Sequence, residues 1–265
     1  MTEKFPLLVV KDINKFFLGL AGSKIHVLEN VNFQVEHQSS GEIISILAPF
    51  GAGKTTLLRI INGLEKSSSG QILLNGNTYN EPSGEIGFIP ENPSSFPWYT
   101  VKQNLEFALS LKKKKIKNDN YSLKNIIDLL ELTGYEDHFP LDKHSGFRFR
   151  IALGRALILK PAIVLIDDPF KKFDSETQHE LYALIKKISF NLKTSFLLTT
   201  TNITEAIILS DSILIMRRDP GKIIQRIDIE KNADKENMET FTYYQNEIKS
   251  AFTSLGDSPL ISIIN

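Results

Sequence analysis

Residues 43–58 read IISILAPFGAGKTTLL, an apolar run followed by a glycine-rich turn, a lysine and two threonines. A buried strand, a loop with Gly51 and Gly53, and a helix that begins near Lys54 form the context that a phosphate-binding P-loop requires. The glycines allow backbone N–H groups to close around phosphate oxygens, and the helix start adds its positive dipole end. We therefore expect Lys54 to contact the β- and γ-phosphates of a nucleotide and the Thr55 hydroxyl to join the shell of a bound Mg²⁺.

The loop departs from the usual P-loop pattern at one position. The first glycine of the pattern is Ala48 here, at the edge of the turn. We still expect the remaining loop residues to surround the phosphates. The predicted nucleotide-binding residues of this segment therefore also include Pro49, Phe50, Ala52 and Thr56.

A second motif, AIVLIDDP at residues 162–169, is an apolar strand that ends in two aspartates. A carboxylate at the end of such a strand can hold Mg²⁺, so Asp167 is a predicted metal ligand, directly or through water. Alone, an acidic pair after a strand would more often cap a helix. Downstream of a P-loop, the pair is interpreted as its Walker B partner.

Composition limits the possible classes of function. Of the 265 residues, 42% are hydrophobic, and the 31 Lys and Arg balance the 31 Asp and Glu. A neutral chain lacks the basic footprint of a nucleic-acid binder, so we expect no nucleic-acid partner. The absence of cysteine excludes disulfides and thiolate metal sites. No apolar run approaches the roughly 20 residues that span a bilayer, so work at a membrane would require a partner chain.

The pattern of apolar runs predicts an α/β fold. Nearly continuous runs, typical of strands buried on both faces of a parallel sheet, alternate with helical segments. These runs are Ile43 to Leu47, Ile86 to Ile89, Ala162 to Ile166, Phe196 to Leu198 and Ile213 to Met216. Short β-like pieces, such as Leu7 to Val10 and Val31 to Val35, predict an antiparallel sheet beside the core. Residues 94–159 turn helical, with Val101, Leu105, Ala108 and Leu111 in one apolar stripe.

Further motifs resemble those of one family, the ABC transporter ATPases, over nearly all of the chain. SGFRFRIALGRAL at residues 145–157 resembles the family's signature segment and the helix that follows it, and Asp174 matches the D-loop aspartate. FPWYTV at residues 96–101 and PGKI at residues 220–223 resemble the importer branch for nitrate, taurine, aliphatic sulfonates or thiamine precursors.

The resemblance implies a P-loop NTPase (RecA-like) core of ABC ATPase type, with an antiparallel β subdomain and an inserted helical subdomain. An ATPase domain would span residues 1–230, with the helical insertion at about 94–159, and residues 231–265 would form a partly helical C-terminal extension. ATP and Mg²⁺ are the implied ligands. The implied partners are a transmembrane permease and a second nucleotide-binding subunit, identical or homologous, at the cytoplasmic face of the membrane.

The resemblance also assigns residues outside the P-loop. Phe17 (or Phe16) would stack on adenine, with core packing as the equally weighted alternative for either ring. Ser145 and Gly146 would cover the nucleotide of the partner subunit. The segment around Glu91 and Phe96 to Trp98 would transmit motion to the permease.

Four positions where the family carries catalytic groups differ here. They are Glu91 for glutamine, His144 for the signature serine, Asp168 for the Walker B glutamate and Thr201 for the switch histidine. We assign all four to catalysis, and Glu91 also to the Mg²⁺ shell. Aspartate retracts the carboxylate by one methylene, roughly 1.5 Å, and a misplacement on the order of 1 Å can cost ~10²-fold in rate. We therefore expect secure nucleotide binding and slow hydrolysis.

The sequence leaves two other functions open. The chain could bind ATP, hydrolyse it negligibly and pair with a competent homologue. A P-loop nucleotide kinase is the second alternative, but it would not need the segment at residues 145–157. For His144, one hypothesis is that its imidazole substitutes across the dimer for the missing groups, and the other is that it is an ordinary loop histidine.

Overall fold

The structure, a computed structural model, describes residues 5–19, 22–92, 95–111, 122–142, 145–230, 233–235 and 237–253. In chain order the elements are β1 (Leu8–Leu18), β2 (Lys24–Val35), β3 (Ile43–Leu47), α1 (Lys54–Ile61), β4 (Ser69–Leu74), β5 (Asn77–Thr78), β6 (Ile86–Ile89), α2 (Val101–Ser110), α3 (Leu123–Leu129), α4 (Ser145–Leu157), β7 (Ile163–Asp167), α5 (Ser175–Leu192), β8 (Ser195–Thr200), α6 (Ile203–Leu209), β9 (Ser212–Arg217), β10 (Lys222–Asp228) and α7 (Met238–Thr253).

The central layer is a six-stranded sheet with the order β10-β9-β3-β8-β7-β6. Its strands are parallel except for β10, which pairs antiparallel with β9. Every residue of β3, β7 and β8 is buried, because helices and a second sheet cover both faces. This confirms the interpretation of the continuous apolar runs as strands of a parallel sheet.

The second sheet has the order β2-β1-β4-β5 and is antiparallel throughout. Leu8 and Val10 of β1 share one core with Ile44 and Ile46 of β3 and with Leu57 of α1. Helix α1 therefore lies in the apolar layer that joins the two sheets. The antiparallel sheet that the early β-like pieces predicted is confirmed, although β1 and β2 are longer than those pieces.

Helices α2, α3 and α4 occupy the segment predicted to be helical. They pack closely, and a Cβ built on Gly154 of α4 would lie 2.7 Å from a methyl group of Leu130. The predicted apolar stripe is correct for Val101, Leu105 and Ala108, which are buried, but wrong for Leu111, which is 65% exposed. Helix α2 ends at Ser110 and Leu111 is its cap residue, so the side chain of Leu111 leaves the buried face.

Helix α7 covers the far end of the central sheet. Tyr244, Ile248 and Phe252 are buried against α6 and strands β9 and β10. This stripe therefore packs on the body of the chain. Within the described part of the chain, no helix combines the length and the apolar character that crossing a membrane requires.

Candidate nucleotide-binding site

The loop at residues 48–53, Asp167, Asp168 and Thr201 all follow or end one of three neighbouring strands, β3, β7 or β8, at its carboxyl end. The P-loop leaves β3 at Ala48, whose N–H donates to the Thr200 carbonyl at the end of β8 over 3.1 Å. Asp167 is the last residue of β7, directly beside β8. In open α/β sheets, ligands bind at this edge of the strands.

The loop between β3 and α1 has the geometry of a phosphate cradle. Gly51 and Gly53 have φ of +82° and +87°, values at which a side chain would be strained. A Cβ built on Gly51 would have no neighbour within 4 Å, so this side of the loop is open. Gly53 is the N-cap of α1, and no described side chain caps it, so the N–H groups of the first turn are available to an anion. Thr55, in that turn, is exposed.

Two neighbouring segments hold the loop in this shape. A Cβ on Gly53 would lie 2.9 Å from Leu28 and 3.0 Å from Val27, so β2 packs directly under the loop. On another side, a Cβ on Gly221 would lie 2.1 Å from the Ala52 carbonyl oxygen. Only glycine permits this approach. The glycine of the PGKI segment therefore has a structural role as a support of the P-loop.

Lys54 extends its side chain back along the loop. Its Nζ donates to the carbonyl oxygens of Ala48, at 2.9 Å, and Pro49, at 3.1 Å. An ammonium group has three donors, so one is left for a phosphate oxygen. Burial lowers the pKa of Lys54, whereas the nearby charges of Asp168 and Asp167 raise it.

The Walker B carboxylates are positioned by a threonine that sequence reasoning missed. The Thr199 hydroxyl donates to Asp167 Oδ1 over 2.8 Å and accepts the Asp168 N–H over 3.0 Å. Asp168 has a φ of +41°, outside the usual strand and helix regions. Burial raises the pKa of Asp168, although Lys54 and Lys171 oppose the shift.

These groups fit a nucleotide bound with Mg²⁺. Among the described residues, no cluster of three or more His, Cys, Asp or Glu could hold a metal by itself. Mg²⁺ is usually held by one or two carboxylates together with substrate phosphates and water. One aspartate, Asp167, and one exposed hydroxyl, Thr55, beside an open phosphate cradle match that donor set.

Glu91 and Thr201, two of the four residues that differ from the family pattern, differ in their exposure to solvent. Glu91 is exposed, and its Oε1 lies 3.6 Å from the Nζ of Lys172. Its negative charge nevertheless contributes to raising the pKa of Asp168, so it belongs to the same electrostatic environment. Thr201 follows β8 directly and is half-buried.

Of the three predicted signature residues, the structure describes Ser145 and Gly146. Ser145 and Gly146 begin α4, and Ser145 lines a cavity of about 370 Å³ together with Glu91 and Arg148. His144 lies outside the described residues, and its proposed role stays a prediction. Phe16 and Phe17 on β1 are each 39% exposed, so neither side chain is fully buried in the core.

Two ionisable residues near the cradle were also not predicted as site residues. Glu205 is only 3% exposed, and its Oε1 has no hydrogen-bond partner among the described groups. Burial, with a contribution from Asp168, raises its pKa to about 8. Lys171 acts electrostatically on both Lys54 and Asp168. In the sequence, Glu205 has the pattern of a first-turn helix acid and Lys171 that of a surface lysine, so neither carried a distinguishing signal.

The chain is similar in sequence to ATP-binding proteins of ABC transporters. The sequence profile of the ABC transporter family matches residues 28–171. The aliphatic sulfonates import ATP-binding protein SsuB of a Bacillus cereus strain is 36% identical over 219 residues, which are 83% of this chain and 84% of the relative. The nitrate import ATP-binding protein NrtD of Synechocystis sp. is 31% identical over 236 residues, 89% of this chain and 87% of the relative.

Solved structures agree on the fold. The cbiO1 protein from Clostridium perfringens, part of the ABC transporter complex cbiONQ, has a TM-score of 0.75 at 20% identity, with 98% of each chain covered. A dimeric ATP-binding cassette bound to ADP and Pi has a TM-score of 0.69 at 24% identity, covering 84% of this chain and 99% of that one. The predicted P-loop α/β fold of ABC ATPase type is thereby confirmed.

Proposed function

The chain belongs to the ABC transporter family as an ATP-binding subunit, and we propose that it couples ATP binding and hydrolysis to solute import by a membrane permease. The names of its relatives favour a small anion or organic solute, such as nitrate, a sulfonate or taurine, as the cargo. On this proposal the chain lies peripherally on the cytoplasmic face of the membrane. Residues 1–230 would form the ATPase domain and residues 231–265 an extension.

The observation that carries the proposal is the convergence of the P-loop, Lys54 and the Walker B aspartates at one edge of the sheet. The open loop around Gly51 offers backbone N–H groups to the phosphates. Lys54 offers its remaining ammonium donor to the β- and γ-phosphates. Thr55 and Asp167 would hold Mg²⁺, which supplies positive charge between the phosphates when it is bound.

We propose that hydrolysis at this site is slow. Asp168 would orient the attacking water, but its side chain is one methylene shorter than that of glutamate. Thr201 supplies no positive charge near the terminal phosphate. Glu91 pairs with Lys172 instead of presenting a neutral amide. Each difference weakens the stabilisation of the transition state and leaves the phosphate cradle intact.

The functional unit on this proposal is a head-to-tail pair of nucleotide-binding subunits. Each P-loop would be covered by the Ser145–Gly146 segment of the other subunit, with the identity of the second subunit, the same chain or a homologue, left to experiment. ATP would close the pair and hydrolysis would reopen it. The permease would contact the exposed aromatic turn at residues 96–99.

The test is steady-state phosphate release by the purified chain, alone and with the permease that co-purifies with it. Slow release that increases when the permease is present supports a coupled ATPase. Binding of ATP without measurable release in either condition would favour the second candidate, an impaired subunit that works beside a competent homologue. The substitutions at Asp168 and Thr201 are the observations that favour this second candidate.

A further inference from the structure

The segment after the Walker B aspartates forms a rigid turn. Phe173 N–H donates to the Phe170 carbonyl over 3.1 Å, which makes Lys171 and Lys172 the two central residues of a β-turn. Gln178 of α5 bonds both flanking carbonyls, Phe170 at 2.9 Å and Phe173 at 3.0 Å. The Phe170 ring is fully buried. The backbone that carries the two lysines is therefore fixed before any ligand binds.

The two lysine side chains of this turn lie toward different partners. Lys172 pairs with Glu91 at 3.6 Å and also donates to the side-chain oxygen of Asn92. Lys171 lies toward the P-loop, with its Nζ 6.0 Å from the centre of the Phe50 ring. Phe50 precedes Gly51, the residue at which the cradle is open. The turn thus presents one ammonium group to the rim of the phosphate cradle.

The charge of Lys171 acts on the cradle itself. The positive charge of Lys171 opposes the rise in the pKa of Asp168 that burial causes, and it contributes to lowering the pKa of Lys54. The ammonium therefore lies in the electrostatic environment of both groups. The side chain of Lys171 is exposed, so it can move over the rim without breaking a buried contact. A lysine with this flexible stem is a suitable point charge for a phosphate.

We propose that Lys171 is a further nucleotide-binding residue, which contacts the terminal phosphate of ATP from the rim of the cradle beside Phe50. The inference rests on the proposed function and adds a specificity to it, recognition of a nucleoside triphosphate over a diphosphate. The acidic side chains at the site, Asp167 and Asp168, face a terminal phosphate that carries negative charge. Thr201 cannot compensate that charge, whereas Lys171 can.

The experiment is a calorimetric titration of the full chain with ATP and, separately, with ADP, both in the presence of Mg²⁺. Lys171→Ala should weaken ATP binding roughly three- to tenfold, the range for a single charge-assisted hydrogen bond at a partly solvated site, and ADP binding less than about twofold. Lys171→Arg should retain most of the preference for ATP, since it keeps the positive charge.

Lys124→Ala is the matched control, because it removes one exposed lysine from α3, outside the site. Thermal melts of all variants verify that the fold is retained. Equal affinities of Lys171→Ala and Lys124→Ala for ATP, while Lys54→Ala loses binding, would overturn the role of Lys171 and leave the proposed function standing. No ATP binding by the unaltered chain would overturn both.

Discussion

On the proposed function, Asp168 occupies the position that polarises the attacking water, so we expect the rate of hydrolysis to depend on it. Its backbone N–H donates to the Thr199 hydroxyl over 3.0 Å, so the backbone of Asp168 cannot advance toward the cradle without breaking that bond. Burial raises the pKa of its carboxyl group, although the charges of Lys54 and Lys171 oppose the shift. The position of the carboxylate therefore limits Asp168 as a group that polarises water.

Asp168→Glu should raise the turnover number, because the longer side chain recovers the roughly 1.5 Å that aspartate lacks. An increase of about tenfold or more is expected, given that a misplacement on the order of 1 Å can cost ~10²-fold. Steady-state phosphate release measures it, and ATP affinity should stay within about twofold. A turnover that is unchanged or lower would show that the carboxylate length is not limiting, and Thr201 would become the candidate.

Glu205 is expected to make the free energy of unfolding depend on pH. Its pKa is raised from 4.5 to about 8 by burial, so between these values the folded protein keeps a proton that the unfolded chain has lost. Stability should therefore fall as pH rises through this window, by at most about 1.4 kcal/mol per pH unit from this group. Glu205→Gln should flatten the dependence, as measured by denaturant unfolding at pH 5.5, 7 and 8.5 (about these values).

The control for this prediction is Glu239→Gln, which changes an exposed glutamate at the start of α7. Its unfolding free energies should follow those of the unaltered chain at each pH. Parallel curves for Glu205→Gln and the unaltered chain would mean that Glu205 titrates alike in the folded and unfolded states.

Among the elements, the aromatic turn before α2 is held in place by one buried side chain. The amide of Asn104 accepts the Phe96 N–H at 2.8 Å and donates to the carbonyls of Phe96, Tyr99 and Thr100. The guanidinium of Arg155 lies 4.4 Å from the centre of the Phe96 ring. Trp98 remains 67% exposed on this fixed turn. A rigid, exposed tryptophan is typical of a contact surface for another protein.

Trp98→Glu should reduce association with the permease at least tenfold while ATP affinity is unchanged, since a charge would be desolvated at the contact. Pull-down of the permease and ATP titration measure the two effects. Phe190→Glu, which alters an aromatic residue 70% exposed on α5, is the control. If both variants retain the permease equally, the contact lies elsewhere on the surface.

Helix α7 stabilises the fold by burying one apolar stripe. Ile248 is fully buried at its centre, so Ile248→Ala should cost about 2–5 kcal/mol of unfolding free energy by leaving a cavity. Asn246→Ala, at an exposed position on the same helix, should change it by less than about 0.5 kcal/mol. Denaturant unfolding compares them. Equal, small effects would show that α7 opens independently of the sheet.

At the scale of the whole molecule, the sequence predicts those structural features that depend on residues close together in the chain. Continuous apolar runs predict the parallel strands, and the loop at residues 48–56 predicts the position of the cradle, because buried strands and P-loops depend on neighbours in sequence. Contacts between distant segments could not be predicted. The support of the loop by Gly221, the bonds of Thr199 to both aspartates and the approach of Lys171 to Phe50 all arise from sheet order.

Nucleotide binding by the loop at residues 48–56 is tested by ATP titration of the full chain and of Lys54→Ala, with phosphate release followed in parallel. Lys54 is the buried cation of the cradle, so its removal should weaken ATP binding at least about tenfold. The unaltered chain should bind ATP and release phosphate slowly. Unchanged ATP affinity in Lys54→Ala would contradict the proposed function, because the nucleotide would then bind outside the loop at residues 48–56.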